Sequence, residues 1–366
     1  MDDTLLAFLT AASDDDARRL IRLAGGTPLR DGPARTFLFI GEADAVGLHH
    51  WMDIFPALPP FTRHSDTDRW HLTIDLPEAA RVEYKLSVKR RGRRRLVLDS
   101  LNPRRARDPF GTNSLVTGPG YHRPVWSLVD SSVPTGSFET LEVDSAMFKD
   151  TRPITVYLPP QDANGPVPLL VAHDGGEYVE YAALATVLDN LIAAGDVPPL
   201  ACALTDPVAR TDEYTADDRH ARHLVDEVLP RVGDLVGGVG SIVAMGASLG
   251  GVASLHAAWR FPGTFDGLIL HSGSFVTALG GPHRRGPVFA PVVDFLAAWR
   301  TEPGPLPGRI YLSCGRFDGL IADNRVMVRH LRSLDVDVAY DEAADGHNWE
   351  NWRDHLRAGL IHAFGG

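Results

Sequence analysis

The sequence predicts an α/β protein: a doubly wound, mostly parallel sheet preceded by a smaller N-terminal β-sandwich. Three observations carry that prediction. From Gly136 onward, apolar runs of strand length alternate with segments of helical period and the alternation does not stop. Between Thr36 and Val116 the pattern is instead one of short strands separated by turn residues. Within the alternating half, Gly246-Ala247-Ser248-Leu249-Gly250 stands between a strand signal and a helix signal.

In chain order, residues 1 to about 24 have Leu5, Leu6, Phe8, Leu9, Leu20, Ile21 and Leu23 at helix-like intervals, broken by an N-cap signal at Ser13-Asp14-Asp15-Asp16 and ended by Gly25-Gly26-Thr27-Pro28. Thr36–Ile40, Trp70–Leu76, Val82–Val88 and Arg95–Leu98 read as strands of the sandwich. The run Lys89–Arg95 lies between two of them with Gly92 at its centre. It reads as a charged hairpin tip and as a candidate for holding an anionic ligand against the second domain. Leu98–Pro103 and Asp108–Ser114 carry the Asn/Asp-Pro and Gly punctuation of ordered turns. Thr117–Gly136 is the connection, so the expected domains are 1–130 and 137–366. Phe138–Asp144 and Arg152–Leu158 form an antiparallel pair. Strands follow at Val167–Ala172, Leu200–Thr205, Ser241–Met245, Gly267–His271, Arg309–Cys314 and Val336–Tyr340. Helices follow at Tyr181–Ala194, His220–Val232, Leu249–Trp259, Val292–Trp299, Asn324–Leu334 and Trp349–Ala363. No internal repeat or long low-complexity tract is evident.

Composition narrows the function classes. A 366-residue chain is long enough for two cores. A net charge of -11 weighs against nucleic acid as a partner, because phosphate binding needs a basic surface. No run reaches the roughly 18 apolar residues of a membrane span, and Met1-Asp2-Asp3-Thr4 does not resemble a secretion signal, so a cytoplasmic protein is expected. Cys202 and Cys314 sit in separate apolar strand-like runs and read as buried thiols, and no Cys/His cluster has zinc spacing. Neither metal nor cofactor is expected. Oligomeric state is left open.

The chemistry centres on Ser248. A serine between a strand and a helix must take a strained backbone, and glycines at 246 and 250 remove the Cβ atoms that would collide as the helix turns back over the strand. This is the nucleophile elbow of an α/β-hydrolase. It exposes the hydroxyl and aims the Leu249 amide at an oxyanion. A base and an acid should follow in chain order on loops past later strands. His347 follows the last strand with Gly346 before it. Asp318 follows the strand from Arg309, with Asp323, Glu342 and Asp345 as alternatives within reach. The second oxyanion donor should lie in His173-Asp174-Gly175-Gly176-Glu177-Tyr178, and His271–Ser274 should also line the pocket.

These residues resemble a family. Residues 137–364 look like the esterase D group of α/β-hydrolases, and the whole arrangement is similar to bacterial enterochelin esterases. The likeness rests on His173–Gly176, Arg210–Tyr214 before the helix ending Glu227–Pro230, Gly246–Gly251, Gly346–Trp349 and Trp352-Arg353, and more loosely on Asn102-Pro103 and Phe110–Ser114. The resemblance implies cytoplasmic hydrolysis of a catecholate trilactone siderophore, with iron present only as part of that substrate. Ser248 would be the nucleophile, His347 the base, Asp318 the acid, and the amides of Gly176 and Leu249 the oxyanion donors. Gly175, Arg210, Glu213 and Trp349 would contact the substrate, and Arg152, Arg210 and the arginine hairpin would offset its negative charge. Two other readings fit the same fold: a feruloyl or acetyl carbohydrate esterase, and a hydrolase-fold binding protein without chemistry.

Overall fold

The computed structural model describes residues 3–50, 60–161, 165–280, 286–334 and 336–365; Met1 and Asp2, the start of the first predicted helix, lie outside them. The chain divides into two compact units. The smaller comprises residues 1–122 with two short later segments, Gly315–Asp318 and Ala343–His347; the larger holds the rest.

In the smaller unit, α1 (Asp3–Thr10) and α2 (Asp14–Leu23) are separated where expected, and the Ser13 hydroxyl accepts from the Asp16 amide as an N-cap. Phe8, Ala17 and Ile21 bury against Leu38. The strands are β1 (Leu29–Asp31), β2 (Ala34–Ile40), β3 (Ala45–His50), β4 (Thr62–Arg63), β5 (Arg69–Asp75), β6 (Arg81–Arg90), β7 (Arg93–Val97), β8 (Arg105–Asp108) and β9 (Gly111–Thr117). One sheet runs β1-β2-β5-β4. The other runs β3-β6-β9-β8, with β7 also on β6. Phe37 of β2 meets Tyr84 of β6 edge to face at 5.0 Å, and Trp70, Leu72, Val82, Leu86 and Val116 fill the space around them. That is the predicted sandwich. The arginine run is a hairpin: Arg90 pairs with Arg93, and Arg91 and Gly92 make the turn with φ of 49° and 74°. The turn at Asp99 is ordered by hydrogen bonds, its carboxylate accepting from Thr27, Tyr84 and the Leu101 amide. The other predicted turn is shorter than expected. Only Asp108–Gly111 turns, and the chain continues as β9.

The larger unit holds β10 (Ser137–Ser145), β11 (Asp150–Leu158), β12 (Val167–His173), β13 (Ala201–Thr205), β14 (Val239–Ala247), β15 (Gly267–His271), β16 (Arg309–Gly315) and β17 (Asp337–Ala343) in the order β10-β11-β13-β12-β14-β15-β16-β17. The pairs from β13 through β12, β14 and β15 to β16 are parallel, and β10 and β11 are antiparallel. Alternate residues serve opposite faces. Leu169 and Val171 join a cluster with Val252 of α8 (Leu249–Arg260), Trp299 of α9 (Ala290–Thr301) and Met327 of α10 (Ile321–Arg332). Leu170 and Ala172 join Tyr178 of α3 (Gly175–Ala182), Leu188 of α4 (Leu184–Ala194) and Leu356 of α11 (Trp349–Phe364). Burial on both faces is why these strands read as continuous apolar runs. Between β13 and β14 lie α5 (Arg210–Tyr214), α6 (Asp218–Arg222), a π-helical stretch at His223–Val228 and α7 (Leu229–Val236). The chain leaves β12 for β13 on one side and then β14 on the other. The carboxyl ends of β12 and β14 therefore flank a topological switch point, where such sheets collect ligands.

No helix among the described residues is long and apolar enough to cross a membrane. Cys202 and Cys314 are buried free thiols.

Candidate active site

Ser248 joins β14 to α8 with φ 57° and ψ -118°, a conformation that costs a non-glycine residue about 1–3 kcal/mol. The flanking glycines make the turn possible. A Cβ on Gly246 would stand 2.3 Å from the carbonyl carbon and oxygen of Gly250, and one on Gly250 would stand 3.2 Å from the His173 Cβ. Neighbouring loops over-determine the turn: the Ser248 amide donates to the His271 carbonyl (2.9 Å), and the Ser274 amide donates to the Ser248 carbonyl (2.9 Å). The two hydroxyls, Ser248 Oγ and Ser274 Oγ, are 3.2 Å apart. Leu249 begins α8, so its amide has no acceptor within the helix.

Beneath the elbow lies a buried polar group. Ser254 Oγ donates to the Gly250 carbonyl (2.9 Å) and is 3.0 Å from His173 Nδ1; His173 Nε2 is 3.1 Å from His220 Nε2. Burial, reinforced by His220, pushes the His173 pKa down to about 3, so this imidazole is neutral at physiological pH. Glu213 belongs to the same group. It pairs with Arg152 (2.7 Å), accepts from the Val208 and Ala209 amides, and has the His220 ring 3.7 Å away. Burial opposes its ionisation, but His220 and Arg152 prevail and hold its pKa at about 2.

Several residues expected to contact substrate are committed elsewhere. Glu213 is 3% exposed and part of this internal network. Its partner Arg152 is buried too, against Asp150 and the Phe148 ring. Arg210 is forked onto Asp174 through two bonds of 2.8 and 2.6 Å, which offset its charge. Trp349 is 6% exposed, edge to face with Tyr178 and Trp352, and is a core aromatic. A Cβ on Gly175 would stand 2.4 Å from the Leu204 Cα, so that glycine lets α3 close against β13.

The predicted oxyanion loop is also different. His173 ends β12, Asp174 makes the turn in the left-handed region (φ 56°), and α3 begins at Gly175. The Gly176 amide, expected to face an oxyanion, donates to Asp206 Oδ1 (3.1 Å). A carboxylate is the natural partner for the exposed amides of a helix start. Asp174, Gly176, Glu177, Glu180, Tyr181, Asp206 and Arg210 line a cleft of about 380 Å³. Partial burial, followed by the Asp174 charge, raises the Glu177 pKa to about 7.

In the smaller unit, His347 Nδ1 lies 2.8 Å from Asp318 Oδ2. The imidazole is 36% exposed and the carboxylate side chain 1%, so Nδ1 carries the proton donated to Asp318 and Nε2 is left as the acceptor. The other acids named as alternatives include two with different partners: Glu342 is forked onto Arg325 and Asp345 faces Arg81.

Ser274, in the loop expected to line the pocket, does stand beside Ser248; two groups escaped the sequence, the His173–His220–Ser254 group and Arg81. Arg81 meets Asp345 across 264 residues of chain, a pairing that no local pattern announces.

A family model described as "Putative esterase" matches residues 145–363. An iron(III) enterobactin esterase of Dickeya dadantii (strain 3937) is 27% identical over 263 residues, 65% of this chain and 58% of that protein. The chain spans less than two thirds of the length of the curated relatives it matches. Among solved structures, an enterochelin esterase from Shigella flexneri superposes with a TM-score of 0.74 at 19% identity, covering 96% of this chain and 98% of that one. The enterobactin esterase of the same organism, in the presence of enterobactin, gives 0.73 at 20% identity, covering 90% and 92%. At these identities the structural likeness is one of fold.

Proposed function

The chain belongs to the esterase family, and from that premise we propose that it is a serine carboxylester hydrolase that opens the ester bonds of a catecholate trilactone siderophore, releasing the iron that the siderophore carries. Ser248 Oγ attacks the ester carbonyl carbon as its proton passes to His347 Nε2. The ester C–O bond then breaks, the alkoxide leaves with that proton, and water returns the acyl-enzyme to its starting state. Asp318 holds the imidazole, and the Leu249 amide faces the oxyanion. The substrate is a small molecule met in the cytoplasm, and no resident metal or cofactor takes part.

The observation that carries this reading is the strained backbone of Ser248, flanked by Gly246, where a Cβ would meet the Gly250 backbone at 2.3 Å, and by Gly250, where one would press on His173 at 3.2 Å. Names of relatives support the substrate class. One observation favours an uncharged substrate, such as a feruloyl or acetyl ester of a sugar: the cleft at the start of α3 is lined by Asp174, Glu177, Glu180 and Asp206, its arginine is already paired, and its Asp174 wall would stand 3.4 Å from a Cβ on Gly250.

The test is product chromatography after incubation with the iron-loaded trilactone, the iron-free trilactone and methyl ferulate. Trilactone hydrolysis that falls by about 10⁴ to 10⁶ in Ser248→Ala, with the fold intact, is the expected result. Turnover of ferulate alone overturns the siderophore reading, and an active Ser248→Ala overturns the esterase mechanism.

A further inference from the structure

The short segments Gly315–Asp318 and Ala343–His347, which carry the proposed acid and base, belong to the unit built around the N-terminal sandwich. Phe317 and Ala344 are buried in the same cluster as Phe37, Tyr84 and Val116. The Arg316 amide donates to the Ala343 carbonyl (2.7 Å) and the Phe317 amide to the Asp345 carbonyl (2.9 Å), so the two segments are laced together. They approach closely enough that a Cβ on Gly315 would stand 2.2 Å from the Asp345 carbonyl oxygen.

Arg81, the first residue of β6, fixes this pair of segments to the sandwich. Its amide donates to the Ala344 carbonyl (2.9 Å). Its guanidinium is fully buried: Nη1 is 3.3 Å from both Asp345 carboxylate oxygens, and Nη2 is 2.8 Å from Glu83 Oε1. Glu83 Oε2 in turn accepts from Asn113 Nδ2 (2.8 Å). At the other end, Asp345 Oδ1 accepts from the Gly346 amide (2.7 Å), the peptide next to His347. The chain of contacts thus runs Asn113–Glu83–Arg81–Asp345–Gly346, and it gives the Phe110–Ser114 motif a place in the molecule.

Buried ionic networks are costly to assemble, and apolar side chains of similar volume often serve stability as well or better. Directional bonds from a planar guanidinium add a fixed orientation that apolar packing does not supply. We infer that Arg81 is a positioning residue: through Asp345 it holds the loop that presents His347 to Asp318, so that strand β6 sets the geometry of the acid–base pair. The inference rests on the proposed roles of His347 and Asp318.

The test uses the full-length chain and the hydrolysis of p-nitrophenyl butyrate, with thermal unfolding followed by circular dichroism. Asp345→Asn keeps the shape and the Gly346 contact but removes the charge facing Arg81, which retains Glu83. It is expected to lower kcat about 10- to 100-fold with KM within about twofold, as befits a small displacement of the base. Arg81→Lys, which keeps the charge but loses the fork, is expected to fall between Asp345→Asn and the parent; if it does not fold, Asp345→Asn decides. In a His347→Ala background, Asp345→Asn should add no further loss, because it acts through the missing imidazole. Folded Asp345→Asn with parental kcat, or an equal fold-loss in the His347→Ala background, overturns the inference. Parental activity of His347→Ala itself would instead overturn the proposed roles, which keeps the two failures distinguishable.

Discussion

His347 Nδ1 and Asp318 Oδ2 are 2.8 Å apart, with the imidazole open to solvent and the carboxylate sealed from it. A buried carboxylate that accepts from Nδ1 fixes both ring orientation and tautomer, and it stabilises the imidazolium formed when the ring takes a proton. Asp318→Asn preserves shape while removing that charge. It is expected to lower kcat by about 10³ to 10⁴, whereas Glu342→Gln, on a carboxylate occupied by Arg325, should stay within about threefold. Steady-state kinetics on one ester separates them, and the reverse ranking would move the acid to Glu342.

The elbow makes a prediction about stability rather than rate. In Gly246→Ala the new methyl would meet the Gly250 carbonyl group at 2.3 Å, and both atoms it meets are backbone. Relief requires β14 and α8 to separate, so a loss of about 2 kcal/mol or more is expected from overpacking. Urea unfolding measures it. A variant within about 0.5 kcal/mol of the parent would mean that the turn relaxes at little cost.

Most of the larger unit was legible because its strands are buried on both faces and its helices on one, which imposes different periods on the sequence. The start of α3 was not. Gly175-Gly176 carries the composition of a loop, yet both residues open α3, and Gly175 leaves room for Leu204, whose Cα a Cβ there would meet at 2.4 Å. Strand β9 was hidden likewise, since Gly111, Asn113 and Ser114 are turn formers that pairing with β6 and β8 overrides. The strained turn at Ser248 in the larger unit and the pairing of His347 with Asp318 in the smaller one both follow from the order of elements. The substrate-contact residues did not, because Arg210, Glu213 and Trp349 look available in one dimension and find partners only in three.

Glu177 ties stability to pH. Its folded pKa of about 7 lies above the roughly 4.3 of an unfolded glutamate. Between those values the native protein holds a proton that the unfolded chain has released, so this residue's contribution falls as pH rises from about 4.3 to about 7. Glu177→Gln should therefore match the parent at pH 4 and exceed it at pH 8. The side chain is half-buried, so solvent screening keeps the gain below about 1 kcal/mol. Denaturant unfolding at the two pH values tests the sign, and a variant less stable than the parent at pH 8 would contradict it.

The Asp174–Arg210 fork separates a substrate contact from a structural one. Asp174 is 3% exposed at the side chain while Arg210 is 38% exposed, so removing the arginine leaves a buried carboxylate without its counter-ion. Arg210→Met is expected to cost about 3 kcal/mol or somewhat more, and adding Asp174→Asn should recover part of that loss because no bare charge remains. If Arg210 instead served the substrate, its removal would weaken binding of the iron-loaded trilactone more than that of the less charged iron-free form. The structural role predicts an equal change in KM for both, so the ratio of the two KM values should stay within about twofold of the parent's, and a tenfold change in that ratio would return Arg210 to the substrate.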